Sequence, residues 1–165
     1  MRHMLRMTEQ AKPLSPQDPT TFLMHEQYMR EALKQARRAF EEDEIPIGAV
    51  VVLNRTIIAR AYNQTERLRD VTAHAEMLAL TAASNYLGNK YLQDCTLYVT
   101  VEPCVMCAGA TAWAQVRRVV YGAAEPKFGF RRHGQLLHPR AELLSGVLGE
   151  ECAALMQEFF ARKRK

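Results

Sequence analysis

Two short motifs restrict this chain more than any of its bulk properties: His74-Ala75-Glu76 and Pro103-Cys104-Val105-Met106-Cys107. Cysteines at i and i+3 share one face of a helix, so Cys104 and Cys107 can reach a single ion. A helix N-terminus favours thiolate over thiol, and the thiolate is the form that binds metal. His74 lies 30 residues before Cys104, and its imidazole completes a three-ligand set suited to Zn²⁺. Three protein ligands leave a fourth tetrahedral position for water, whereas a structural zinc needs a fourth Cys or His. The sequence offers no obvious fourth ligand. Cys95, just before a strand, and Cys152, in a terminal helix, read as small buried hydrophobes.

The surroundings of both motifs predict that they open helices. Thr72 can cap a helix over about Ala73–Leu87 that stops at Gly88, which puts His74 and Glu76 in its first turn. Thr96–Val101 is β-prone, and Pro103 suits the first position of the helix that follows it, because its missing N–H would have no partner there. Met29, Leu33, Ala36 and Phe40 form the stripe of an amphipathic helix over 22–42, ended by the acidic run Glu41–Glu44. Ile47–Leu53 and Thr56–Tyr62, joined by Asn54-Arg55, read as an antiparallel pair. Arg118–Tyr121, a short strand near Leu143–Gly146 and a helix over Glu150–Arg162 complete the chain. Strands alternating with helices imply an α/β sandwich built around one sheet. Residues 1–21 hold three prolines and no apolar period, and read as a flexible arm. Met7 and Met24 also leave the start site open.

Composition excludes several classes. With 165 residues, 48% hydrophobic and 24% charged, the chain fits one compact soluble domain. It has neither a membrane-length apolar stretch nor the apolar middle of a signal peptide near its start, so the expected compartment is the cytoplasm. Four cysteines there are not expected to form a disulfide framework. The net charge of +4 is uneven: residues 117–140 carry six Lys or Arg against one Glu, and Arg162–Lys165 are all cationic. Such clusters suit a polyanion such as nucleic acid, the alternative being solvated charge that keeps the chain soluble.

The order H-x-E then P-C-x-x-C is the signature of zinc nucleobase deaminases. In that chemistry zinc acidifies a water, and a glutamate near the metal but not bound to it moves the protons, the role that falls to Glu76. A structural zinc clip, a redox C-x-x-C with an incidental histidine, and a zinc-stabilised RNA-binding module without catalysis are the competing readings. A binder would tolerate Glu76→Gln, and a deaminase would not.

Pro46–Val50, Tyr62-Asn63, Thr72–Glu76, Leu97–Thr100 with Glu102–Ala110, and Arg118–Ala123 closely resemble the bacterial tRNA-specific adenosine deaminases, from about residue 25 to the end. The resemblance implies a zinc-dependent deaminase domain over 22–165 with the cytidine-deaminase-like fold, a three-layer α/β/α sandwich around a mixed five-stranded sheet. It implies a homodimer, one Zn²⁺ per subunit, and conversion of adenosine to inosine at the wobble position of a tRNA anticodon. By the family's pattern His74, Cys104 and Cys107 bind zinc, Glu76 transfers protons, and Asn63 and Ala75 contact the flipped base. Glu125 and Lys127 match positions beside the substrate. Arg131, Arg132 and Arg162–Lys165 are candidates for phosphate contacts, and Phe128 or Phe130 for base stacking.

Two positions depart from the family. Val71 stands where a proline usually precedes Thr-Ala-His-Ala-Glu, and Phe128–His133 replaces a longer Gly-Ala-Ala-Gly-Ser loop that normally helps hold the anticodon stem-loop. Guanine deaminases share the signature, and a deaminase of a free base such as guanine, or of a nucleoside or nucleotide, is the alternative. Guanine deaminases often have Pro directly after the first motif cysteine, where this chain has Val105.

Overall fold

The computed structural model describes residues 19–165. Most of the arm expected at 1–21 therefore lies outside the described residues, and its last three residues belong to the first helix. Helix α1 (Pro19–Glu41) begins where Pro19 presets the helical φ, three residues ahead of the predicted start. Strands β1 (Gly48–Leu53) and β2 (Thr56–Tyr62) form the expected hairpin, with Asn54 and Arg55 both at positive φ as a tight turn between right-twisted strands requires.

The segment read as a polar loop contains a one-turn helix, α2 (Thr65–Leu68), followed by α3 (Ala75–Leu87), β3 (Thr96–Val101) and α4 (Val105–Trp113). Then come β4 (Arg118–Ala123), a 3₁₀ turn at Phe130–His133, β5 (Glu142–Leu144) and α5 (Gly149–Lys163). Both motif helices start two residues later than the sequence suggests. Their N-caps are His74 and Cys104, so Thr72 and Pro103 precede the caps. Thr72 instead bonds the Asp70 carboxylate through its N–H (2.8 Å) and its hydroxyl (2.7 Å).

The sheet order is β2-β1-β3-β4-β5, with β1 antiparallel to both neighbours and β3, β4 and β5 parallel. Alternation along the strands builds two cores. Ala49, Val51, Leu97, Val99, Val119 and Tyr121 pack with Ala75, Ala79, Leu80 and Ala83 of α3 and Ala108 of α4. Val50, Val52, Tyr98 and Val120 pack with Met29, Ala32 and Leu33 of α1 and Cys152 of α5. This is the expected three-layer α/β/α sandwich.

The register brings the ends of β2, β3 and β4 to one edge: Tyr62 lies opposite Gly48, Ala49 opposite Val99, and Val99 beside Tyr121. The chain leaving each strand is tied down at once, by Asn63 N–H to Ile47 O (3.0 Å) and Glu102 N–H to Ala123 O (2.8 Å). Close seating of α1 requires glycine at position 48, where a Cβ would overlap the Ala32 carbonyl and the Ala36 nitrogen. Among the described residues, no helix is long and apolar enough to cross a membrane.

Candidate active site

At that edge the two motifs meet. His74, as N-cap of α3, and Cys104, as N-cap of α4, both have extended backbones, and Cys107 lies in the first turn of α4. Nδ1 of His74 is 3.6 Å from the Cys104 Sγ and 3.5 Å from the Cys107 Sγ. Tetrahedral zinc with Zn–S of about 2.3 Å and Zn–N of about 2.0–2.1 Å separates sulfur and nitrogen ligands by about 3.6 Å. Both nitrogen–sulfur sides of the triangle are therefore already the length the ion demands. Among the described residues this trio is the one cluster of three or more metal-ligating side chains. Cys95 and Cys152 are buried elsewhere, and the Cys152 Sγ packs where a Cβ on Gly122 would sit.

The protonation pattern agrees with a cation site. Hydrogen bonds from Cys107 and then His74 lower the Cys104 thiol to about 4, and its hydrogen bond to Cys104 in turn raises His74. Cys107 moves the other way, raised first by its bond to Cys104 and then by burial. Two thiols facing one imidazole cannot both ionise comfortably without a positive charge between them, and a divalent ion supplies it.

Glu76, in the first turn of α3, is 3% exposed. Burial raises its pKa, and its Oε1 has no hydrogen-bond partner. A buried carboxyl oxygen left unpaired beside a ligand triangle is costly unless something is to be bonded there. Asn63 is buried at the end of β2. Ala75, at the start of α3, is fully buried in the core against the sheet.

A third segment closes over the site. Gly129 pairs with Cys104, and Phe130 N–H donates to Pro103 O at 2.9 Å. Glu125 organises this loop by accepting the N–H groups of Lys127 (2.8 Å) and Phe128 (3.4 Å). Arg132 donates to the carbonyls of Pro126 (3.2 Å) and Lys127 (3.1 Å), and Arg131 to the Tyr121 hydroxyl (3.0 Å). Glu125, Lys127, Arg131 and Arg132 thus gather in one preorganised loop beside Cys104.

One expectation is corrected. Phe130 is 1% exposed and belongs to the core, so it cannot stack on a base, whereas Phe128 is 72% exposed at the loop tip. Arg162 and Lys163 are engaged by Asp43, at 3.4 and 2.6 Å, and Arg162 also lies over the Phe40 ring. Only Arg164 and Lys165 of the tail make no ion pair with a described residue.

Sequence reasoning missed two buried carboxyls near the site. Glu102 lies beneath Gly129, where any Cβ would overlap it, and Glu44 bonds the backbone of α2. The position of Glu102 directly before the Pro-Cys pair was a usable signal, and Glu44 was masked by its acidic run.

Residues 23–123 match the cytidine and deoxycytidylate deaminase zinc-binding region. The chain is 47% identical over 148 residues to the tRNA-specific adenosine deaminase of Bacillus subtilis, covering 85% of this chain and 91% of that protein. It is 44% identical to that of Agrobacterium fabrum, covering 83% and 94%. A solved structure from work on A-to-I editing by tRNA deaminases at the wobble position superposes with TM-score 0.73 at 43% identity, covering 78% of this chain and 98% of that one. Guanine deaminase from Nitrosomonas europaea superposes with TM-score 0.75 at 27% identity, covering 90% and 96%.

Metal analysis of the purified chain is expected to find one zinc per chain, and Cys107→Ala to lose it with a fall in thermal midpoint. Full zinc occupancy in Cys107→Ala would contradict the ligand set.

Proposed function

The chain belongs to the cytidine and deoxycytidylate deaminase family, among the tRNA-specific adenosine deaminases, and from that membership we propose that it hydrolyses adenosine to inosine at the wobble position of a tRNA anticodon, releasing ammonia. The observation that carries the reading is the buried, unpaired Oε1 of Glu76 beside the His74–Cys104–Cys107 triangle.

His74, Cys104 and Cys107 hold zinc. When bound, zinc supplies Lewis-acid activation of water at neutral pH. Glu76 accepts the first proton of the attacking water and delivers it to N1 of the adenine ring, then carries the second, from the new C6 hydroxyl, to the departing amine. The C6–O bond forms, the C6–N6 bond breaks, and nitrogen leaves as ammonia. Burial suits Glu76 to the first of these transfers, because a carboxylate whose pKa is raised takes up a proton more readily than an exposed one. Asn63, with Ala75 at the start of α3 beside the metal ligand, holds the base, which an unpaired anticodon loop can splay out without breaking a duplex.

The loop from Glu125 to Arg132 supplies the RNA approach: Lys127, Arg131 and Arg132 for phosphates and Phe128 as a stacking surface. A tRNA substrate places the enzyme in the cytoplasm. A homodimer is supported by the groove between α3 and α4, of about 530 Å³, whose apolar residues Met77, Leu80, Tyr91 and Trp113 are interspersed with Thr81, Ser84, Asn85 and Lys90. Trp113 is 85% exposed there, an apolar surface that a second copy would cover.

Incubation with an A-containing anticodon transcript is expected to give inosine at the wobble position, read as an A-to-G change after reverse transcription. Glu76→Gln should keep its zinc and lose about 10²–10⁴ in rate. Inosine absent with the zinc-loaded protein, and ammonia released from free guanine, would move the substrate to a free base. Charge reversal at Arg131 and Arg132 is expected to weaken stem-loop binding and flatten its salt slope by about one to two; an unchanged slope would take the loop out of the RNA interface. Trp113→Glu should convert a dimer to a monomer in sedimentation, and a dimer that persists would place the interface elsewhere.

A further inference from the structure

Glu44 follows α1 in the acidic run, yet it is 1% exposed and stands apart from the ion pairs that engage Glu42 and Asp43. Its carboxylate accepts two backbone N–H groups at the start of α2, from Arg67 at 2.7 Å and Glu66 at 3.2 Å. Those are the amides that an N-cap side chain normally satisfies, and the residue in the cap position, Gln64, forms no such bond. A carboxylate more than twenty residues away in sequence therefore caps a one-turn helix too short to sustain itself. Glu44 is itself anchored, its N–H donating to Ala39 O in the last turns of α1 at 2.9 Å.

The segment held in this way joins two residues of the site. Gln64 N–H donates to Ala73 O at 3.0 Å, which closes residues 63–74 into a loop with Asn63 at one end and His74 at the other. A second set of contacts steadies the same turn: Tyr62 donates to Glu42 at 3.1 Å, and Arg67 reaches both Glu42 and the Tyr62 hydroxyl at 3.3 Å. Burying a carboxylate is costly, and here the charge is spent wholly on fixing backbone next to Asn63.

We infer that Glu44 is a positioning residue for Asn63: by capping α2 it fixes the direction in which the Asn63 amide faces the base, without touching substrate. The inference rests on the reading of Asn63 as a base-binding residue.

Glu44→Gln keeps the side chain's shape and removes one accepting oxygen. Zinc content is expected to stay unchanged while kcat/KM for the anticodon stem-loop falls about tenfold or more, as small misplacements of binding groups do. In an Asn63→Ala background the same substitution should add less than about twofold, because its effect acts through Asn63. Equal losses in the two backgrounds would overturn the inference. A readout independent of turnover is the Asn63 side-chain NH₂ signal in ¹⁵N spectra, which should shift and broaden in Glu44→Gln while the amides of Glu66 and Arg67 exchange faster; an unaltered Asn63 signal would also overturn it. A wild-type protein that makes no inosine refutes the tRNA reading instead, and the spectra then decide the role of Glu44. Should Glu44→Gln fail to fold, Glu44→Asp, which keeps the charge and shortens the reach, carries the same comparison.

Discussion

Three ligand atoms within 4.8 Å of one another can be assembled here only because two helices begin at the same place. That requirement governs the layer built from α3 and α4. Their inward faces are rich in alanine (Ala75, Ala79, Ala83 and Ala108, with Leu80), small enough to let both helices lie close on the sheet and bring their N-termini together at its edge. Because these groups sit on caps and first turns, each has a helix-terminal amide beside it: that of Cys107 favours the Cys104 thiolate, and that of Glu76 favours its own carboxylate.

The acidic run after α1 acts as a joint. Glu42 holds Tyr62 and Arg67, Asp43 holds Arg162 and Lys163, and Glu44 caps α2. Three neighbouring carboxylates thereby attach two separate parts of the chain, the C-terminal helix and the loop that carries Asn63 and His74. Surface ion pairs of the Asp43 kind contribute little to stability individually, while the buried bonds of Glu44 fix geometry where small errors matter.

Much of this was legible in the sequence, and the reason differs by element. The strands Thr56–Tyr62 and Thr96–Val101 stand out because β-branched and aromatic residues end abruptly at turn chemistry. The metal trio stands out because ligand spacing is a local property. Hidden features depend on partners distant in sequence: α2 exists because Glu44 caps it, and Phe130 faces inward because its N–H is pulled to Pro103. Arg162 and Lys163 look like a free basic tail until Asp43 and Phe40 are seen beneath them. The helix starts were misplaced by two residues because Thr72 and Pro103 are good cap-region residues, and the positions they would have filled are taken by the ligands themselves.

Gly129 rests on Glu102 with no room for a side chain, so the height of the overlying loop is set by backbone against a buried carboxyl and not by whatever the tip carries. Seat and tip are therefore separable parts. Residues at the tip, Pro126 to Phe128, can be exchanged to suit a different nucleic-acid contour while the chamber below keeps its dimensions, which is how one reaction centre could be retained as its range of substrates drifts.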